Sequence, residues 1–203
     1  MAYLESLLRA FEPALVHGVV VLADGPAVER LRATGHRVDV VPAGRWVGIL
    51  AAALRLRRVL RTAGGDVVHA DGPKAALCAL LATAGTATPV VWMRHDGSFD
   101  GRVARALASR CAAVVGVSRT FVDGLEGIRG PELRVVRHGV PEHRIDPAAA
   151  ARALRAELGA PPAGEVAIQV GRIVANKGSS TSSRRRPPCS QLVRTPASSS
   201  SAA

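Results

Sequence analysis

The residue types best suited to chemistry stand near the end of the chain, in V-A-I-Q-V-G-R-I-V-A-N-K-G at residues 166–178. A short apolar run closes at Gly171, Arg172 follows, and Lys177 comes five positions later. An arginine offers a planar fork of donors, a lysine a mobile point charge, and glycine lets the backbone come close to an anion. The stretch predicts a strand feeding a loop that clamps a diphosphate. A second set of candidates recurs upstream, where apolar runs end in polar residues or glycine: Asp24-Gly25, Asp71-Gly72, His95-Asp96, Ser118 and His138-Gly139.

These residues need elements to position them. Leu4, Leu7, Leu8 and Phe11 follow helical spacing, so the chain opens in an amphipathic helix. Residues 16–22 and 36–41 then read as strands, separated by a turn at Asp24-Gly25-Pro26 and a helix around Val28 and Leu31. Trp46, Ile49, Ala53, Leu56 and Leu60 make one stripe of a long helix whose other face carries Arg55, Arg57, Arg58 and Arg61. Further strands are expected at 66–70, 89–93, 112–117 and 133–136, with helices between them. The helix at 75–82 is apolar all round, as expected of one packed on both sides, and Ser118 stands where it could cap the next helix. Asp146-Pro147 opens another helix that Gly159 closes.

Strand and helix alternate, which predicts an α/β, Rossmann-like parallel sheet with helices on both faces. Ligands bind such sheets at the carboxyl ends of the strands, where the polar candidates fall.

Composition narrows the classes. An apolar fraction of 48% with aromatics at only 3% describes a globular chain whose core is Ala, Val and Leu. The net charge of +11 invites a nucleic-acid reading, but Arg184, Arg185, Arg186 and Arg194 lie in an acid-free tail, and most of the others fall on helix faces. Scarce aromatics argue against a single-strand binder. Cys78, Cys111 and Cys189 form no metal-binding pattern, which fits a reduced cytoplasmic protein. No signal peptide is evident and no apolar stretch is long enough to span a bilayer, so membrane contact is expected to be peripheral at most.

Taken in order, the motifs resemble the GT-B glycosyltransferases, in particular the family-four group of retaining, nucleotide-sugar-dependent enzymes. D-V-V-H-A-D-G-P-K-A at 66–75 resembles the family's strand and following helix, and V-V-W-M-R-H-D at 90–96 the strand that delivers an active-site histidine. V-V-G-V-S at 114–118 resembles the next strand end, R-V-V-R-H-G-V-P at 134–141 the linker, and G-R-I-V-A-N-K-G at 171–178 the family's G-R-x-x-x-x-K-G. The resemblance implies two Rossmann-like domains, acceptor bound mainly by the first and sugar nucleotide by the second. It implies that His95 faces the transferred sugar, that Gly171, Arg172 and Lys177 hold the donor diphosphate, and that Asp96, Ser118 and Gly139 lie on the acceptor side. No metal or other cofactor is expected, since the two cations would stabilise the departing diphosphate.

Departures shape the remaining expectations. The family opens with a strand and a Gly-rich loop, whereas this chain opens in a helix, and His138 replaces the usual Asn. After Gly178 the composition shifts to Ser, Arg, Pro and Ala. The chain therefore reads as an N-terminal domain at 1–145, a linker helix with the first strand and loop of a donor domain at 146–178, and a disordered tail at 179–203 of the kind an out-of-frame reading would produce. A truncated glycosyltransferase, inactive in transfer, is the leading expectation. The alternatives are a non-catalytic basic module binding nucleic acid or an acidic partner, and a fragment of a GT-B sugar-nucleotide epimerase, which shares the fold.

Overall fold

The computed structural model describes residues 2–44, 46–97, 101–139 and 145–160, and the chain divides into two compact units, Met1–Val140 and Pro141–Ala203. In the first unit α1 (Ala2–Ala10) and a short turn of 3-10 helix (Pro13–Leu15) lead into β1 (Val19–Val21), α2 (Pro26–Arg32), β2 (Val38–Val40) and α3 (Trp46–Ala63). Then follow β3 (Val68–Asp71), α4 (Pro73–Thr83), β4 (Val90–Arg94), α5 (Arg102–Ala108), β5 (Ala113–Gly116), α6 (Thr120–Asp123) and β6 (Glu132–Val135). The described part of the second unit contains α7 (Pro147–Glu157).

All strand pairs are parallel and the strands are flanked by helices, as the alternation requires. Among the described residues, hydrogen bonding groups the strands as β1-β2 and a four-stranded sheet in the order β3-β4-β5-β6. The first two strands are also shorter than their apolar runs. Only Val19, Val20 and Val21 pair with Val38, Asp39 and Val40, and Val16 instead packs beside Leu8, Val19 and Leu31 in a small apolar cluster.

The main core lies between the four-stranded sheet and its helices. Alanines at Ala76, Ala79 and Ala82 give α4 a smooth buried face, which lets it approach both α3 and the sheet closely. Trp92 on β4 is fully buried in the same core cluster as those small side chains. Burial of one side chain of this size contributes roughly 3 kcal/mol. Cys78 and Cys111 are buried free thiols, and burial pushes the Cys111 thiol up to about 11.

The helix start at Asp146 shows local sequence acting as predicted, and that at Ser118 does not. Asp146 accepts from the backbone N–H groups of Ala148 and Ala149 at 2.9 and 3.2 Å, Pro147 occupies the first turn, and Gly159 follows the helix at φ +58°. Gly72 and Pro73 open α4 in the same order. Ser118, expected to cap α6, does not: Arg119 holds the cap position without a side-chain bond, and the carbonyl of Ser118 accepts from the Phe121 N–H instead. The donors at the start of α6 are met by backbone carbonyls, Val122 and Asp123 N–H both bonding to Arg119 O at 2.8 and 2.9 Å, so a side-chain cap is not needed.

Candidate functional site

Register places the candidate residues along one edge of the sheet. Asp71 pairs with Met93, Arg94 with Gly116, and Gly116 with Val135, so the strands finish nearly level. The ladder runs one bond further at each junction: Gly72 N–H to Met93 O at 3.0 Å, Val117 N–H to Arg94 O at 3.1 Å, and Val136 N–H to Gly116 O at 3.0 Å. Residues just past the strand ends are thereby held by backbone geometry before any side chain acts. Gly72 turns sharply into α4 at φ +88°, a conformation that would strain a residue with a Cβ.

A cavity of about 260 Å³ opens at this edge, lined by Asp71, Gly72, Pro73, Trp92, Arg94, His95 and Asp96. Arg94 is only 3% exposed and lies over the Trp92 ring, its guanidinium 5.2 Å from the ring centroid. This cation–π contact lets a buried charge share the wall with an aromatic face. The indole Nε1 of Trp92 is buried without a hydrogen-bond partner among the described residues. Beside the cavity, His95 Nε2 and the Asp71 carboxylate are in direct hydrogen-bond contact, both side chains being about one quarter exposed.

Aromatic rings close round that dyad. Tyr3 of α1 stacks on His138 at 4.1 Å and meets His95 edge-on at 5.1 Å, while His95 and His138 lie 5.0 Å apart. His69 stands 6.3 Å from Tyr3. Partial loss of solvent around the rings pushes His69 and His138 below the usual histidine value, and His95 lowers both further while Asp71 opposes the fall. The Tyr3 phenol is raised, first by burial and then by the Asp71 charge. Asp71 is thus the shared counter-charge of the cluster.

The expected residues divide clearly. His95 and Asp96 line the cavity. Ser118 follows β5 on the same edge without lining it, and Gly139 adjoins the ring cluster through His138. Gly171, Arg172 and Lys177, with the strand expected at 166–170, lie outside the described residues, as does the tail. The sequence marked Asp71 and His138 only as polar strand-end residues without a role, and gave Tyr3 and His69 no part in the site. Asp71 carried a signal in its position at a strand end before glycine, which reads equally well as turn chemistry. Tyr3 carried none, because its place depends on where α1 lands.

The site residues sit in a segment that matches a family model. Residues 2–144 match Glycosyltransferase Family 4. The chain belongs to that family. Among solved structures, that of Anabaena Alr3699/HepE in complex with UDP is similar, with a TM-score of 0.58 and 22% identity over 78% of this chain and 46% of that one. The family-4 chain therefore shares that protein's fold while spanning less than half its length. Nothing among curated proteins matches the chain.

Proposed function

We propose that this chain supplies the acceptor-side domain of a retaining glycosyltransferase that takes a sugar from a nucleotide-sugar donor. The observation that carries the reading is the cavity at the ends of β3 and β4, where Asp71, His95 and Asp96 gather in a chain of this family. Carboxylates and an imidazole suit a hydroxyl-rich ligand, since between them they accept and donate to neighbouring hydroxyls. His95 faces the transferred sugar, and Asp96, Ser118 and Gly139 flank the acceptor. Gly171, Arg172 and Lys177 hold the donor diphosphate, and their charges serve in place of a metal ion as the leaving group departs. UDP in the similar Anabaena structure supports a nucleotide as the donor's carrier. The buried free thiols Cys78 and Cys111 suit a reducing, cytoplasmic setting, and no helix among the described residues is long and apolar enough to cross a membrane.

In this reading transfer needs both faces of a cleft, and the chain spans 46% of the similar Anabaena protein, so by itself it should not transfer sugar. Incubation of pure protein with UDP- and GDP-sugars and a panel of acceptors should give no nucleoside diphosphate above the rate without enzyme. Sustained release would overturn the inactivity. Saturation-transfer NMR with saccharides should show contact with the chain that His95→Ala weakens; no contact with any saccharide would sink the acceptor-side assignment.

A further inference from the structure

The Asp71–His95 pair carries a consequence for which chemical group His95 can receive. An ionised carboxylate only accepts hydrogen bonds, so the proton between the two belongs to His95 Nε2. In a neutral imidazole with its proton there, Nδ1 is an acceptor. Asp71 is the partner of His95 among the described residues, and His95 lines the cavity with its side chain 29% exposed. Neighbouring elements restrict the ring further: Tyr3 from α1 lies edge-on at 5.1 Å and His138, after β6, at 5.0 Å. Asp71 itself is fixed by the strand ladder on one side and the Gly72 turn on the other.

We propose that Asp71 is a positioning residue for His95: it holds the neutral ring as the Nε2–H tautomer, so that Nδ1 accepts from the ligand and the group selected is a hydroxyl rather than a phosphate or carboxylate oxygen. The proposal rests on the reading of the cavity as a saccharide site, and deepens it by naming the ligand group. A phosphodiester or carboxylate oxygen brings no proton to Nδ1 and meets the Asp71 carboxylate as a like charge, whereas a sugar hydroxyl can donate to either acceptor and carries no charge to be repelled.

The test uses the full 203-residue chain with ¹⁵N-labelled histidine at pH 8, where an imidazole is neutral. Correlation of ring nitrogens with ring carbon-bound protons should place the His95 proton on Nε2, with a hydrogen-bonded N–H resonance downfield of the amides. That resonance should vanish in Asp71→Ala and His95→Gln, persist in His138→Gln, and return in Asp71→Asn, whose amide oxygen still accepts; retention in Asp71→Asn also shows that the site remains folded. A proton on Nδ1, no such resonance in the parent, or its survival in Asp71→Ala overturns the positioning role. Titration with a methyl hexopyranoside should then shift the His95 Nδ1 signal while dimethyl phosphate and acetate, which carry no proton at this pH, should not; movement by either anion, or by none of the probes, overturns the selection. Failure of nucleotide-sugar binding would leave the Nε2–H resonance untouched, so the two readings can fail separately.

Discussion

Gly116 shows how much one side chain, or its absence, determines at the sheet edge. A Cβ built there would lie 2.5 Å from Val122 Cγ2 and 3.0 Å from the Ser118 carbonyl oxygen. The first contact is with a side chain held in the core and the second with backbone, so neither yields freely. Gly116→Ala should destabilise the protein by about 1–3 kcal/mol, the usual cost of overpacking. Urea denaturation measures it, and a change within about 0.5 kcal/mol of zero would mean that α6 moves aside without cost. Because Gly116 pairs with Arg94, the same variant should also disturb the cavity wall.

At the level of elements, the packing of α3 against α4 depends on more than its apolar stripe. Arg57, on the face that the sequence pattern assigned to solvent, reaches across to donate to the carbonyls of Ala82 and Ala84 at 3.3 and 2.6 Å. Ala82 lies in the last turn of α4 and Ala84 just follows it, where helix geometry leaves acceptors without partners and a cation is favoured. Arg57→Ala should therefore cost about 1–2 kcal/mol. Arg57→Lys should recover only part of that, since an ammonium lacks the fork that spans two acceptors. Thermal unfolding of the three proteins compares them directly; equal midpoints would reduce Arg57 to a surface charge. Arg105 plays a similar part beyond α6, donating to the carbonyls of Gly124 and Glu126 at 3.0 and 3.3 Å.

For the whole molecule, the ring cluster makes stability depend on pH. His69 and His138 have folded values below the ordinary 6.5, so between the two values the unfolded chain binds more protons than the folded one. Stability then falls as pH falls through 6.5 toward the depressed folded values, and levels off below them. Both rings remain exposed to solvent, so screening keeps the slope shallow. Chemical denaturation at pH 7.5 and 5.5 should show the decline, and the double variant His69→Gln, His138→Gln should flatten it. An unchanged slope in that variant would assign the acid sensitivity elsewhere. The dependence is global because the cluster joins α1, β3 and the segments after β4 and β6.

The sequence by itself determined the parallel α/β plan, because strand and helix periods alternate and each run is bounded by its own turn residues. It also placed His95 and Asp96 at a strand end, since register in a parallel sheet with level strands brings such residues to one edge. The cap at Asp146 was equally legible, being local chemistry. Only the tertiary structure decided that the paired strands among the described residues fall into two ladders, that Arg57 and Arg94 are engaged rather than solvated, and that Tyr3 closes over His95. Those outcomes depend on where distant elements land, and a periodicity records which face of a helix is apolar without recording what it meets. Asp71 lies between the two cases. Its residue type and position were visible, but its role required a histidine 24 residues away to arrive within hydrogen-bond reach, which strand pairing alone arranges.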